Sequence, residues 1–593
     1  MRRRVGAMVA AAGLAAGLLA GCGIPDSTGV RVDGPGPRSG PGGVQFGGDV
    51  GPPKRISATT TGELVSNFLT AAAGDSDGLA ERMHDYIAPA ARDEINLAAG
   101  VSVVHLLSDP SPGADGTVYT LRVRHLGTLR DNGELVPPAP NDAQDTYTMR
   151  VGEVDDRREL YVLQPPPVVL MTDVALNKYY SERTIYFWNH AYTALVPDLR
   201  YLPTEVPAAR MPTEVLGWLV KRPSRALNDV VEPLPAGSKL VGTAPLEGDS
   251  LTTSWSPEAV RDEQGAQRLA LQITWSLWQA PFGRLELRVN GQPSRPYDVD
   301  TLRSAVGYPV SPNPESYAIY NGAVRALRPA EGDPAPEVPL APEINHDVLS
   351  ASIMRAAKVA VAASVDTAAG PRLQVGDGVG VITALKPTAV QPASRPVWLP
   401  GTGDRTGTAI GLVADVQGDV YRFRADGKTV RLRLPVPAPV TDIAVSPEGQ
   451  RLAVIAAGKL YIVPVDKATA APDALPLILS LSNLTAVAWL SETHVAVVGR
   501  GQGSRAQFGD VSVDGGVQSL RAESTTGEVT MLSAVPATPV HDTNDDPLMF
   551  QAGDRAARAR GDVQMIPAGD VTGVAPATAG PGALVPYAPF YAY

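Results

Sequence analysis

The chain has 593 residues, a formal net charge of −11, 44% hydrophobic and 19% charged residues, and one cysteine, Cys22. A lone cysteine excludes an internal disulfide, a cysteine metal cage and a redox pair. No lysine or arginine cluster follows the extreme N-terminus, which makes nucleic acid and anionic lipid head groups poor partners.

Arg2, Arg3 and Arg4 form a positive start, and an apolar run from Val5 to Leu19 follows. That run is about fifteen residues, short of the roughly 20 that cross a hydrocarbon core. It ends in Leu19-Ala20-Gly21-Cys22, small residues ahead of a cysteine, the pattern of a lipoprotein signal peptide over residues 1–21. The mature chain is then expected to begin at a lipid-modified (palmitate-bearing) Cys22, held at the outer face of the cytoplasmic membrane. Two or three acyl chains on one cysteine make a durable anchor where a single chain does not. Loss of the three signal arginines takes the net charge to −14.

Residues 22–55 are Gly, Pro, Ser and Asp with few large apolar side chains, a composition that cannot offset its chain entropy. They read as a flexible tether with an r.m.s. reach of roughly 30 Å. Residues 56–169 form the first expected domain. Leu64, Val65, Phe68, Leu69 and Ala72 recur at helical spacing, and Leu79, Met83 and Ile87 suggest a second helix. The period then changes to two, with Tyr119, Leu121 and Val123 and later Tyr147, Met149 and Val151 alternating with polar residues. Helices before a curved antiparallel sheet indicate an α+β cone, packed shut in the plainer reading and ligand-holding in the other.

A second α+β domain is expected over residues 170–328. Val215, Leu216, Leu219 and Val220 mark a helix, and Pro233 to Ser238 a turn before Lys239-Leu240-Val241. Leu269, Leu271, Ile273 and Trp275 alternate like a strand, as do Leu285, Leu287 and Val289 ahead of an Asn290-Gly291 turn. A Pro-, Ala- and acid-rich stretch at 329–345 reads as a linker.

Residues 346–593 carry a repeat. Val440 to Val445, Arg451 to Ile455 and Gly458 to Val463 recur 44 residues later at Leu484 to Trp489, His494 to Val498 and Gly509 to Val513. Weaker copies begin at Ala351, Pro396 and Val529. A period in the mid-forties with four strands per unit indicates a β-propeller of five or six blades, not of the WD40 type. The expected fold is thus multidomain: two α+β domains followed by an all-β propeller.

Catalytic patterns are scarce. The seven histidines are scattered, and no Gly-x-Ser-x-Gly or Ser-x-x-Lys occurs. Asp542 to Asp546 imitates the start of a calcium loop, but Pro547 and Gly553 stand where glycine and glutamate are needed. The glycine pairs at Gly376/Gly378 and Gly499/Gly501 match no phosphate fingerprint and read as propeller turns, as does Arg560-Gly561-Asp562. No catalytic, cofactor or metal residue is assigned, and the only site residue is Cys22.

The lipobox, the Arg183 to Phe187 and Leu195 to Arg200 segments, Pro233-Leu234-Pro235-Ala236-Gly237-Ser238-Lys239-Leu240 and the divergent propeller occur in an order that resembles the actinobacterial lipoprotein LpqB family. The middle domain looks like a GerMN module. The resemblance spans essentially the whole chain; each motif alone is weakly specific. It implies a non-enzymatic accessory of a two-component system of the MtrA–MtrB type. The partner would be the extracytoplasmic part of the sensor kinase, and the consequence an effect on envelope homeostasis and division. Two other readings stand beside it. One is a wall-glycan binder with an aromatic groove from Trp255, Trp275 and Trp278. The other is an envelope hydrolase or lactonase, which needs acids or histidines converging from several innermost propeller strands.

Overall fold

The computed structural model describes residues 51–592 except 140–141, 155–158, 291, 306–313, 330–333, 404–407, 466–473, 502, 504, 526, 540–547 and 575–583. Cys22 and the Asp542–Asp546 loop lie outside the described residues.

The first module begins with the helix Thr61–Ala71, whose N-terminus is capped by the Thr60 side chain accepting the Glu63 N–H. Its apolar stripe of Leu64, Val65, Phe68 and Leu69 is buried, as are Met83 and Tyr86 of the next helix, Leu79–Tyr86. Both pack on a sheet with the strand order Leu160–Gln164, Gln144–Glu153, Val118–Leu129, Asn96–Leu106, Val168–Thr172. The alternating residues Leu121, Val123, Met149 and Val151 join the helical stripe in one core. Because Val168–Thr172 adds to this sheet in parallel, the module runs past residue 169. Leu170, Met171, Leu176 and Tyr179 all belong to its core.

The second module is built on the hairpin Tyr180–Asn189 and Leu195–Pro203, in register from Tyr180↔Pro203 to Trp188↔Leu195. A second sheet carries Ser250–Trp255 and Arg284–Val289 side by side in parallel. The helices Met211–Val220 and Glu263–Ser276 close one core with both sheets. The turn at Pro235 forms as expected, with the Ser238 N–H on the Pro235 carbonyl. The expected strand through Leu269 and Trp275 is instead the helix Glu263–Ser276, started by the Asp262 side chain accepting the Gly265 N–H. Every residue from Leu269 to Ser276 is buried. A helix enclosed on all sides shows no polar face, so chance alternation outweighed the 3.6 period.

Six propeller sheets follow among the described residues, with innermost strands Val348–Arg355, Val397–Gly403, Val440–Val445, Ser482–Trp489, Val529–Ser533 and Tyr587–Tyr591. The sixth blade is composite. Its inner strand is C-terminal, while its outer strands, Ser316–Tyr320 and Ala323–Ala326, precede all other blades in sequence. These two strands, read above as the end of the middle domain, therefore belong to the propeller and tie its two ends together. Phe590 stacks on Tyr317 at 5.5 Å across that seam. The described residues 334–345 of the expected linker are consequently part of the ring's edge. The Glu337 carbonyl accepts from Tyr317 and Arg355, and Leu340 bridges Ile382.

The glycine pair at 376 and 378 lies inside the strand Arg372–Gly378, not in a turn. A Cβ on Gly376 would stand 3.0 Å from the Ala384 carbonyl oxygen, so close backbone approach explains the glycine. Gly499 likewise lies within a strand, His494–Arg500, whereas Gly561, at φ 78°, makes the turn that was expected there.

Candidate functional site

Buried polar groups gather at the centre of the propeller and at the face on which the middle module rests.

At the centre, the innermost strands carry hydroxyls such as Ser350, Ser352 and Ser533 but one carboxylate, Asp442. Burial pushes its carboxyl up to about 7, against the Val487 N–H at 2.9 Å, the Arg395 charge and the Ile443 N–H, which favour ionisation. Arg395 enters just before the second blade's inner strand and donates to the Leu532 carbonyl on the fifth blade at 3.0 Å. In a six-membered ring those blades face each other, so a buried guanidinium spans the channel. The convergent set of acids or histidines that a channel hydrolase needs is not formed by the described inner strands. Among the described residues no group of three or more His, Cys, Asp or Glu could hold a metal ion.

The docking face is built from hairpin turns that an antiparallel blade places at one end. The turn Ser446–Arg451 is held by Ser446 Oγ, which donates to Glu448 at 2.6 Å and accepts the Arg451 N–H. Arg451 pairs with Glu448 at 2.7 Å, both side chains almost fully buried. It also donates to the Glu492 carbonyl at 2.6 Å and lies 5.0 Å from the centroid of Trp489. Glu492, 44 residues after Glu448 in the repeat, occupies the matching turn of the fourth blade. Asp514 lies in a third turn, fixed by Ser512 at 2.6 Å and the Gly516 N–H at 3.0 Å.

The middle module meets these turns through its first hairpin. Tyr186 donates to Glu492 at 2.7 Å in a fully enclosed contact. Tyr201 donates to Asp514 at 3.1 Å, and Glu182 faces His494 at 3.3 Å. Burial raises Glu492 to about 8 and Asp514 to about 6. For His494, burial acts downward, but the Glu182 carboxylate, with Asp514 and Asp510, holds it above its ordinary value. The helix Glu263–Ser276 fixes Tyr186 from behind. Ser276 Oγ accepts the Tyr186 N–H, Gln272 donates to the Tyr186 carbonyl, and Trp275 packs edge-on at 5.6 Å. The arrangement is suited to holding modules in register.

His494, read as a packed or blade-edge residue, is packed: it opens an interior strand of the fourth blade and faces Glu182. Trp255 and Trp275 are core residues and do not form an aromatic groove, with Trp278 half-buried beside Trp275 at 5.0 Å. Sequence reading included Tyr186 only as part of the Arg183 to Phe187 segment and passed over Glu492, Asp514 and Arg395. The repeat offset linking Glu448 to Glu492 was a usable signal for one of them; the partners across modules left none.

Residues 328–564 match the family described as Lipoprotein LpqB beta-propeller domain, and residues 184–295 match the one described as Sporulation and spore germination. The chain is similar to the curated Lipoprotein LpqB of Nocardia farcinica, 24% identical over 82% of this chain and 85% of that one. Lipoprotein LpqB of Thermobifida fusca is 24% identical over 73% of this chain and 77% of its own. The Mycolicibacterium smegmatis protein of that name is 25% identical over 76% and 78%.

Proposed function

We propose that this chain, a homologue of the LpqB lipoproteins with their propeller and a GerMN-type module, is a lipid-anchored extracytoplasmic scaffold that modulates a sensor histidine kinase at the same membrane. The observation that carries this reading is the docking of the middle hairpin on the propeller through Tyr186, Tyr201 and Glu182. It presents several modules to a partner as one preassembled surface, and the bridged channel favours binding over turnover. Confinement to one membrane face makes weak contacts count, because the second contact becomes nearly intramolecular. A shift in kinase state then requires only a differential affinity of about 1–3 kcal/mol.

Photocrosslinking in cells from surface positions on the propeller tests the reading. A sensor-kinase ectodomain as the dominant neighbour is expected. Recovery of wall glycan alone would replace the proposal with the glycan-binding one. The anchor is tested separately: Cys22→Ser should abolish palmitate labelling and release the protein from membranes, and retention of both refutes the assignment of Cys22.

A further inference from the structure

A cavity of about 360 Å³ opens where the first module meets the second, and its lining includes Arg130, Asn132, Glu134, Arg222, Arg225 and Asn228. In a chain of net charge −11 this is a local concentration of arginine. It is also a pocket at a module junction, where ligand sites are common.

The charges do not cancel within the pocket. Glu134 is buried and already engaged: one oxygen accepts the Arg225 backbone N–H at 2.8 Å, and the other lies 3.7 Å from Arg130. Among the described residues no carboxylate comes within ion-pair distance of the Arg222 or Arg225 guanidinium. Both side chains are exposed at the rim. The nearby Lys221 and Asp131 neutralise each other at 2.9 Å.

The walls are fixed from below. Arg200 is fully buried and paired with Asp198 at 2.6 Å. Two further N–H groups reach the carbonyls of Asn132 and Arg222, each at 3.4 Å, so one guanidinium ties a rim segment of each module. Asp198 also accepts the Ser224 N–H at 2.8 Å, which holds the 222–225 turn. Arg200 Nε has no hydrogen-bond partner. The result is a preformed pocket with surplus positive charge, planar donors free at its rim and amide side chains between them.

We propose that this pocket binds a phosphate-bearing ligand, either a soluble pyrophosphate-type group or the phosphate headgroup of an envelope lipid. Forked guanidinium donors match phosphate oxygens two at a time, which selects phosphate over a simple monovalent anion. The net charge of −11 makes anionic head groups poor partners for the surface as a whole, so recognition is confined to this arginine-lined pocket and is short-ranged. The pocket is independent of the kinase-binding reading and stands or falls without it.

The test is calorimetric titration of the full chain with inorganic pyrophosphate. Cosedimentation with phosphatidylcholine vesicles, with and without phosphatidic acid, uses the mature chain from Gly23 onward, without the signal segment or lipid, so that no anchor contributes. Both assays are repeated on the Arg222→Gln/Arg225→Gln double variant and on Arg288→Gln, an exposed arginine elsewhere on the second module. Saturable binding that weakens at least tenfold in the double variant and is unchanged in Arg288→Gln is expected. Binding of pyrophosphate alone assigns a soluble ligand, and binding of phosphatidic acid vesicles alone assigns a lipid headgroup. No binding of either probe, or equal weakening in Arg288→Gln, overturns the proposal. Folding of the variants is checked by their unfolding midpoints, which the exposure of these side chains should leave within a degree or two of wild type.

Discussion

The Tyr186 hydroxyl of the middle module donates to the Glu492 carboxyl of the propeller at 2.7 Å, with both groups enclosed and 306 residues apart in sequence. The other Glu492 oxygen has no hydrogen-bond partner, so Tyr186 is the side chain that satisfies this buried acid.

Tyr186→Phe removes the donor and keeps the ring against Trp275. Leaving a buried carboxyl unsatisfied costs about 1–3 kcal/mol. The expected outcome is a lower unfolding midpoint and faster proteolysis at the joint between the middle module and the propeller. An unchanged midpoint together with unchanged proteolysis would show that the contact does not hold the modules together.

The same acid makes stability depend on pH. Folded Glu492 keeps its proton to about 8, while its ordinary value is 4.5. Between those values the folded state binds more protons than the unfolded one, so stability falls as pH rises through the window. Asp514, raised to about 6, Asp442, raised to about 7, and His494, raised by Glu182, act in the same direction. The melting temperature is expected to be higher at pH 5.5 than at pH 8. Glu492→Gln should flatten that slope; a melting temperature that climbs with pH contradicts the assignment.

Arg395→Gln tests the bridge across the channel. It withdraws a charged donor from the Leu532 carbonyl and a favourable charge from Asp442. A hydrogen bond from a charged group contributes about 1.5–3 kcal/mol. The unfolding midpoint should fall, with amides of the second and fifth inner strands exchanging faster. Protection that is lost elsewhere and kept in those two strands would count against the bridge.

Phe590→Ala tests ring closure. Phe590 is fully buried and stacked on Tyr317, and replacing such a residue by alanine costs about 3–5 kcal/mol. The loss should localise to the sixth blade, seen as rapid amide exchange in both Ser316–Tyr320 and Tyr587–Tyr591. Exchange in only one of the two strands would mean that they do not close the ring as a unit.

The helices carrying Phe68 and Leu216 were legible because each buries one stripe and leaves the opposite face less buried, which prints a period on the residues. The strands around Leu121 and Met149 were legible for the same reason at a period of two. Burial on every side removed that imprint from the helix through Trp275. The propeller was legible from its 44-residue offset, since each blade repeats one pattern of strands and turns. Its closure was not, because Ser316–Tyr320 and Tyr587–Tyr591 are paired by the ring and not by neighbourhood in the chain.

By itself the sequence determined the number and kind of modules, the lipobox at Cys22 as an expectation, and the resemblance that the LpqB relatives support. These are carried by local periodicity, composition and order along the chain. Only the tertiary structure decided which acids are buried, what Arg395 spans, how Tyr186 meets Glu492 and that Arg130 shares a pocket with Arg222 and Arg225. Burial, pKa and pairing between distant residues are set by what packing brings close, and no short stretch of sequence contains both partners.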